Sequence, residues 1–192
     1  MNLQEKGQGK ENIGVVQSRG ILERAFEHAI WKIGRWASEV DKKAGKIYSK
    51  KEALKLFGVP QFTEMKGNCL LNEGINELWT ILCSASGTKF DNANAQTGVG
   101  DSTVAADATQ TDLQAATNKV YVGMMAGFPT YGTDQKAIWK SSYDGTTANY
   151  AWQEFVVRNG ATALKDICRK VSAQGTKASG QVWELSIQIS LS

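Results

Sequence analysis

A strict alternation of apolar and polar residues near the end of the sequence is the feature that most constrains the fold. Polar residues separate five apolar ones, which are Trp183, Leu185, Ile187, Ile189 and Leu191. Successive side chains of a β-strand point to opposite faces of its sheet, so this period of two predicts a strand with one buried face. The chain must therefore build a sheet that covers a core.

Further strands are predicted by short segments rich in β-branched and aromatic residues, separated by Gly, Asn and Asp. They cover residues 119–126, 137–142, 150–158 and 163–171. The dipeptides Asp144-Gly145 and Asn159-Gly160 favour turns with positive φ and predict antiparallel hairpins between neighbouring strands. We therefore expect a mainly β chain (α+β overall), with an antiparallel β-sandwich or barrel-like domain over residues 67–192.

Two helices are predicted before and at the start of this domain. Ser49 is a suitable cap for a helix over residues 50–57, Glu52 completes a capping box, and Gly58 and Pro60 end the helix. A second helix is expected over residues 73–83, with Asn72 as its cap. These features indicate a mixed region ahead of the strands.

Residues 21–40 are compatible with two structures. Apolar residues recur there at steps of three and four, which is typical of an amphipathic helix, yet residues 26–36 are also rich enough in aromatic and β-branched side chains to form a strand that turns at Gly34. Residues 1–20 are polar and without periodicity, which predicts a flexible or arm-like segment. Residues 21–66 are expected to form a mixed helical and extended region.

Charge divides the chain unevenly. Residues 1–66 contain 13 Lys and Arg against 8 Asp and Glu, a net charge of +5, whereas residues 67–192 contain 9 against 11, a net charge of −2. A basic cluster can face an acidic partner or remain a solvated surface. Tryptophans fill cores or interfaces. The interface residues predicted on these grounds are Lys42, Lys43, Lys46, Trp31, Trp36, Trp139 and Trp152.

Neither a secretory signal nor a stretch of about 20 apolar residues is recognisable, so we expect no membrane association and synthesis in the cytoplasm. The three cysteines, Cys69, Cys83 and Cys168, have neither disulfide nor zinc spacing, and we expect them to be reduced and mostly buried.

The residues that carry chemistry give no pattern of a known catalytic site. His28 is the only histidine, which argues against a triad or a two-histidine metal site. The glycines of residues 98–103 lack the spacing of a nucleotide loop and predict a turn. The Asx-rich loops over residues 91–107 lack EF-hand spacing, although calcium remains an open alternative. We expect no catalytic, cofactor-binding or metal-binding residues, and no specific nucleic-acid partner.

Four segments resemble virion structural proteins of tailed bacteriophages, in order and in spacing. They are NCLLNEGINEL (68–78), FDNANAQTGVGDST (90–103), ATQTDLQA running into TNK (108–119), and ANYAWQE (148–154). Lys170-Val171, residues 175–177 and the alternating strand are also similar to that group. Together they cover about two-thirds of the chain, whereas residues 1–66 show no such resemblance.

The resemblance implies a non-enzymatic component of a phage virion. We expect a capsid decoration or cement protein that binds the major capsid protein and copies of itself as a homo-oligomer. A tail, baseplate or fibre-associated protein is the alternative from the same particle, although the chain shows neither repeats nor sustained heptads. A carbohydrate-binding module that uses exposed tryptophans is the alternative from another class.

Overall fold

The computed structural model describes residues 29–84, 86–160 and 164–190. Ten strands are distributed over two five-stranded antiparallel sheets, and three helices accompany them in this part of the chain. The strands are β1 Ile30–Trp36, β2 Phe62–Lys66, β3 Cys69–Leu70, β4 Gln96–Gly100, β5 Lys119–Gly123, β6 Thr130–Thr133, β7 Lys136–Tyr143, β8 Glu154–Arg158, β9 Asp166–Val171 and β10 Val182–Ser190. The helices are α1 Glu39–Lys43, α2 Lys50–Phe57 and α3 Asn72–Ser84.

The two sheets pack face to face as a sandwich. Sheet A has the strand order β2-β1-β10-β7-β6, and sheet B has the order β3-β9-β8-β4-β5. Side chains from both sheets share one core, in which the rings of Trp31 on β1 and Phe155 on β8 lie 6.1 Å apart. The prediction of a mainly β antiparallel fold is confirmed, and neither sheet closes into a barrel.

Strand β10 confirms the alternation from which its structure was predicted. Trp183, Leu185 and Ile187 are fully buried, whereas Ser186 and Gln188 on the opposite face are partly exposed. Trp183 packs edge-on against Trp152, with ring centroids 4.8 Å apart. An aromatic cluster therefore forms the centre of the core.

Of the two structures left open for residues 21–40, a strand is formed over Ile30–Trp36, because its alternate residues Trp31 and Ile33 enter the core. Residues 1–28, which include the predicted arm and His28, lie outside the described residues. Strand β1 pairs with β10 along its whole length. Strands from both sides of residues 66 and 67 therefore share sheet A.

Both predicted helices are confirmed, although the second begins at Asn72 itself, so the prediction that Asn72 caps it is wrong. Ser49 and Glu52 form the capping box of α2, and Gly58 ends that helix in the left-handed conformation. Asn159-Gly160 joins the paired strands β8 and β9 as expected. Asp144-Gly145 does not join neighbours, because the chain crosses there from sheet A to sheet B.

The turn predicted for residues 98–103 is wrong in its first half. Gly98 and Gly100 lie inside β4, between β5 and β8. A Cβ atom at Gly98 would lie 2.6 Å from the ring of Tyr121 and 2.7 Å from Val156. Glycine is needed there because neighbouring side chains cross over the strand, and not because of a positive φ.

Candidate interaction surfaces

Residues 38–48, which we call the α1 loop, are held on the body by a network of hydrogen bonds. Tyr48 donates from its hydroxyl to Asp41 Oδ2 at 2.7 Å and accepts from the backbone of Ala37 at 3.0 Å. Gln61 accepts from the Tyr48 amide at 2.9 Å and donates to the Lys46 carbonyl at 2.8 Å. The buried side chains of Tyr48 and Gln61 therefore hold the loop against the body.

The acid and the phenol of this network shift each other's pKa. The hydrogen bond from Tyr48 holds the pKa of Asp41 below its usual value, and Lys46 acts in the same direction. Burial, opposed by a hydrogen bond from Ala37, raises the pKa of Tyr48. Both groups keep their ordinary neutral-pH states, with Asp41 ionised and Tyr48 protonated.

The upper side of the α1 loop exposes apolar and basic side chains together. Val40 is 75% exposed and Ile47 is 71% exposed, and neither belongs to the core. Lys43 and Lys46 are exposed beside them, with Lys46 Nζ 3.2 Å from Asp41. Two branched apolar side chains exposed on a hydrogen-bonded loop, with lysines beside them, fit an apolar patch with a polar rim.

Lys42 points the other way and connects the α1 loop to sheet A. Its Nζ lies 2.9 Å from Glu184 on β10 and donates to Ser142 at 2.7 Å, while Lys140 approaches the other oxygen of Glu184 at 2.6 Å. Burial alone would raise the pKa of Glu184, but hydrogen bonds from Lys140 and Lys42 outweigh it and hold that pKa below its usual value. The predicted interface role of Lys42 is therefore replaced by an internal ion pair.

The outer face of sheet A remains open as a trough beside this ion pair. Trp36 and Phe62 form one wall, with their rings 5.8 Å apart at a steep angle, and Phe128 with Lys140 contributes the other. Phe62 is 52% exposed. Gly34 leaves space for the Trp36 ring, since a Cβ atom there would lie 2.7 Å from it.

The outer face of sheet B is covered by residues 101–118, which we call the cover loop. Glu154 on β8 accepts from the amides of Gln114 and Ala115 at 2.9 and 2.7 Å. Arg169 on β9 donates to Glu154 and to the carbonyls of Val104 and Ala105. Glu154 and Arg169 are completely buried, so the pair fixes both halves of the loop.

A second charged group lies at the edge of the same covered face. Asp112 of the cover loop accepts a hydrogen bond from Tyr121 and pairs with Lys119 at 2.5 Å, and the Arg158 guanidinium stacks on the Tyr121 ring. Burial and the negative charges of Asp112 and Glu73 raise the pKa of Asp166 to about 8. Asp166 Oδ2 has no hydrogen-bond partner among the described residues.

The aromatic half of the predicted interface is largely wrong. Trp31 and Trp152 are fully buried and Trp139 is 7% exposed, because all three project between the two sheets. Trp36 is partly exposed in the trough, and Trp79 on α3, which the sequence analysis did not select, is 61% exposed. The tryptophans therefore do not assemble the exposed platform that sugar binding would use.

The Asx-rich loops bond to their own chain. Asp91 accepts from Asn94, Asp107 accepts from Thr109, and Asn92 donates to two carbonyls near residue 125. The described residues contain no cluster of three potential metal-ligating side chains. Only Cys168 is buried, since Cys69 is partly exposed and Cys83 is exposed, so the expectation of mostly buried thiols is wrong.

None of the helices in the described ranges has the length and apolar character needed to cross a membrane. Comparison with protein-family models, with curated proteins and with solved structures finds no match to the chain.

Proposed function

We propose that the chain is a non-enzymatic structural component of a tailed-phage virion, and that it acts as a capsid decoration or cement protein. In this proposal it binds the lattice of the major capsid protein, associates with copies of itself, and resides in the virion after synthesis in the host cytoplasm. The α1 loop is the observation that carries the proposal, because it presents Val40, Ile47 and two lysines on a fixed support without contributing them to the core.

The segments that resemble virion proteins are also joined in space. Residues 90–103 contain β4, residues 108–119 contain most of the cover loop, and residues 148–154 end at Glu154, which accepts from that loop. A resemblance spread over three separate segments thus belongs to one structural unit on sheet B. These contacts support the interpretation that the three segments belong to one folded unit.

The α1 loop suits an acidic, partly apolar partner. Interfaces combine an apolar centre with a polar rim, and lysines at the rim accelerate encounter with an acidic surface. The loop supplies both, and its hydrogen bonds to Tyr48 and Gln61 reduce the ordering cost of binding. We propose that Lys43 and Lys46 contact carboxylates of the capsid lattice.

The first experiment separates purified particles into heads and tails and measures this chain in each by mass spectrometry, against the major capsid protein. The decoration proposal requires many copies on heads. Enrichment on tails at low copy number would instead identify the chain as a tail, baseplate or fibre-associated protein. Absence from both fractions would refute the virion proposal.

The footprint is tested by adding purified chain to heads that lack it. Lys43→Glu with Lys46→Glu should weaken binding by at least tenfold at low salt, because two favourable charge contacts become repulsive. The matched control is Lys51→Glu with Lys55→Glu, the same charge change on exposed positions of α2. Equal losses in the two variants would contradict a specific role for the α1 loop.

A further inference from the structure

An apolar groove lies at one end of the sandwich, between helix α3 and strands β6 and β7. Its volume is about 800 Å³. Leu78, Ile81 and Leu82 of α3 form one side, and Tyr131, Trp139 and Ile189 belong to the other. Leu82 and Tyr131 are each 73% exposed, so the groove has an unusually large uncovered apolar lining.

The register of sheet A places the start of β1 beside this groove. Ile30 pairs with Gln188 and β1 runs antiparallel to β10, so the first residue of β1 lies at the same end of sheet A as Ile189 and Ser190. Ser190 pairs with Lys136, and both Ile189 and Lys136 line the groove. Strand β1 therefore begins at the end of the sandwich where the groove opens.

The sequence immediately before Ala29 has the composition that such a groove requires. Residues 21–28 place Leu22 and Phe26 four positions apart, with Ile21 and Ala25 beside them. Glu23 and Glu27 outnumber Arg24 in this segment, whereas Lys89 and Lys136 outnumber Asp91 in the groove lining, so the two net charges are opposite. Residues four apart share one face of a helix, which gives this segment one apolar side.

Residues 21–28 are also long enough to reach the groove from Ala29. The β7 side of the groove lies about two strand spacings from β1, roughly 10 Å away. Eight residues span about 12 Å as a helix and about 26 Å when extended. No more than the eight residues next to Ala29 are needed to reach the groove of the same chain.

We propose that residues 21–28 dock in this groove of their own chain, with Leu22 and Phe26 against Leu82 and Tyr131 and with Glu23 or Glu27 near Lys89. This docking is independent of the virion role.

The test uses hydrogen–deuterium exchange of the full chain at low concentration. In the unsubstituted protein, residues 21–28 should exchange at least tenfold more slowly than an unstructured peptide. Phe26→Asp should abolish that protection and accelerate exchange in residues 78–84 and 130–137. Leu82→Asp should do the same from the groove side, releasing residues 21–28.

Two controls match these charge changes. Gln17→Asp adds the same charge ahead of the docking segment, and Asn76→Asp adds it at an exposed position of α3 outside the groove, so both should leave protection unchanged. Exchange in β8, residues 154–158, reports global stability and should stay constant in every variant.

Two results would overturn the proposal. Unprotected exchange of residues 21–28 in the unsubstituted chain would show that the groove is not occupied by this segment. Protection that appears only at higher concentration, together with a doubled mass in light scattering, would assign the groove to the segment of a second copy.

Discussion

The outer faces of the two sheets differ in what covers them. On sheet B, the charges of Glu154 and Arg169 are completely buried beneath the cover loop and satisfied by its backbone. On sheet A, Glu184 and Lys140 lie in an open trough, where the Lys140 side chain is 28% exposed. The ion pair on sheet B is therefore entirely buried, whereas the lysine of the pair on sheet A reaches the surface.

The difference shows how to separate structural charges from those available to a partner. A buried ion pair whose remaining hydrogen bonds are made within the chain has no capacity for a ligand, and removing one partner leaves an uncompensated charge. In the Lys140–Glu184 pair the carboxylate is buried and only the lysine is partly exposed, so the lysine keeps its access to solvent and the pair contributes less to stability than a fully buried one. The buried charges of sheet B therefore act within the chain, whereas the exposed lysines of sheet A and the α1 loop are the charges that remain accessible to a partner.

The largest effect is expected for Arg169→Met. Glu154 would remain buried without its cation, so the free energy of unfolding should fall by about 3–5 kcal/mol in a urea titration. The comparison variant Lys32→Met breaks the exposed pair with Glu64 and should cost less than about 1 kcal/mol. Similar losses in the two variants would remove the distinction between the buried and exposed pairs.

The next effect concerns pH. Because the pKa of Asp166 is raised to about 8, the folded chain binds a proton that the unfolded chain releases near pH 4. Stability from this group is complete below pH 4 and is lost as pH rises to 8, with a limiting slope of about 1.4 kcal/mol per pH unit. Asp166→Asn should flatten the difference in unfolding free energy between pH 5 and pH 8. Parallel curves of unfolding free energy against pH for Asp166→Asn and the unsubstituted chain would contradict the raised pKa of Asp166.

A smaller effect is expected for Gly98→Ala. The new methyl group would meet the Tyr121 ring and Val156 beneath the cover loop, so the free energy of unfolding should fall by about 1–3 kcal/mol. Gly123→Ala in β5 is the control, because a Cβ atom there has no neighbour within 4 Å. A tolerated alanine at residue 98 would indicate that sheet B is less tightly packed than described.

The smallest effect is expected on the open face. Glu184→Gln removes the charge shared by Lys42 and Lys140 and should lower the free energy of unfolding by about 1 kcal/mol, with a smaller loss at high salt. Chemical denaturation at two salt concentrations measures it. A loss as large as that of Arg169→Met would place sheet A in the same class as sheet B.

The sequence predicted those parts of the fold that depend on local patterns. Period-two alternation identified β10, and Ser49, Glu52 and Gly58 identified both ends of α2. Strand β1 remained ambiguous because its apolar residues satisfy helical spacing as well, and only pairing with β10 selects the strand. Asp144-Gly145 was misassigned because a turn dipeptide does not determine which sheet receives the next strand.

The candidate surfaces were predicted less well, for a related reason. Lysines are easily recognised as surface residues, and Lys43 and Lys46 are exposed as expected. Lys42 binds Glu184, a residue 142 positions later, and no local pattern encodes that contact. Composition alone did not separate the buried Trp31 and Trp152 from the exposed Trp79, because all six tryptophans satisfy the same hydropathy rule.

The position of β10 between β1 and β7 also determines the order in which the molecule can be assembled. Strand β1 leaves the ribosome some 150 residues before its main partner, and until then only β2 is available to it. Contacts between such distant residues slow folding, because a long chain must be closed before they form. Because β10 is the only strand that joins β1 to β7, sheet A cannot be completed in the described chain until β10 has been synthesised.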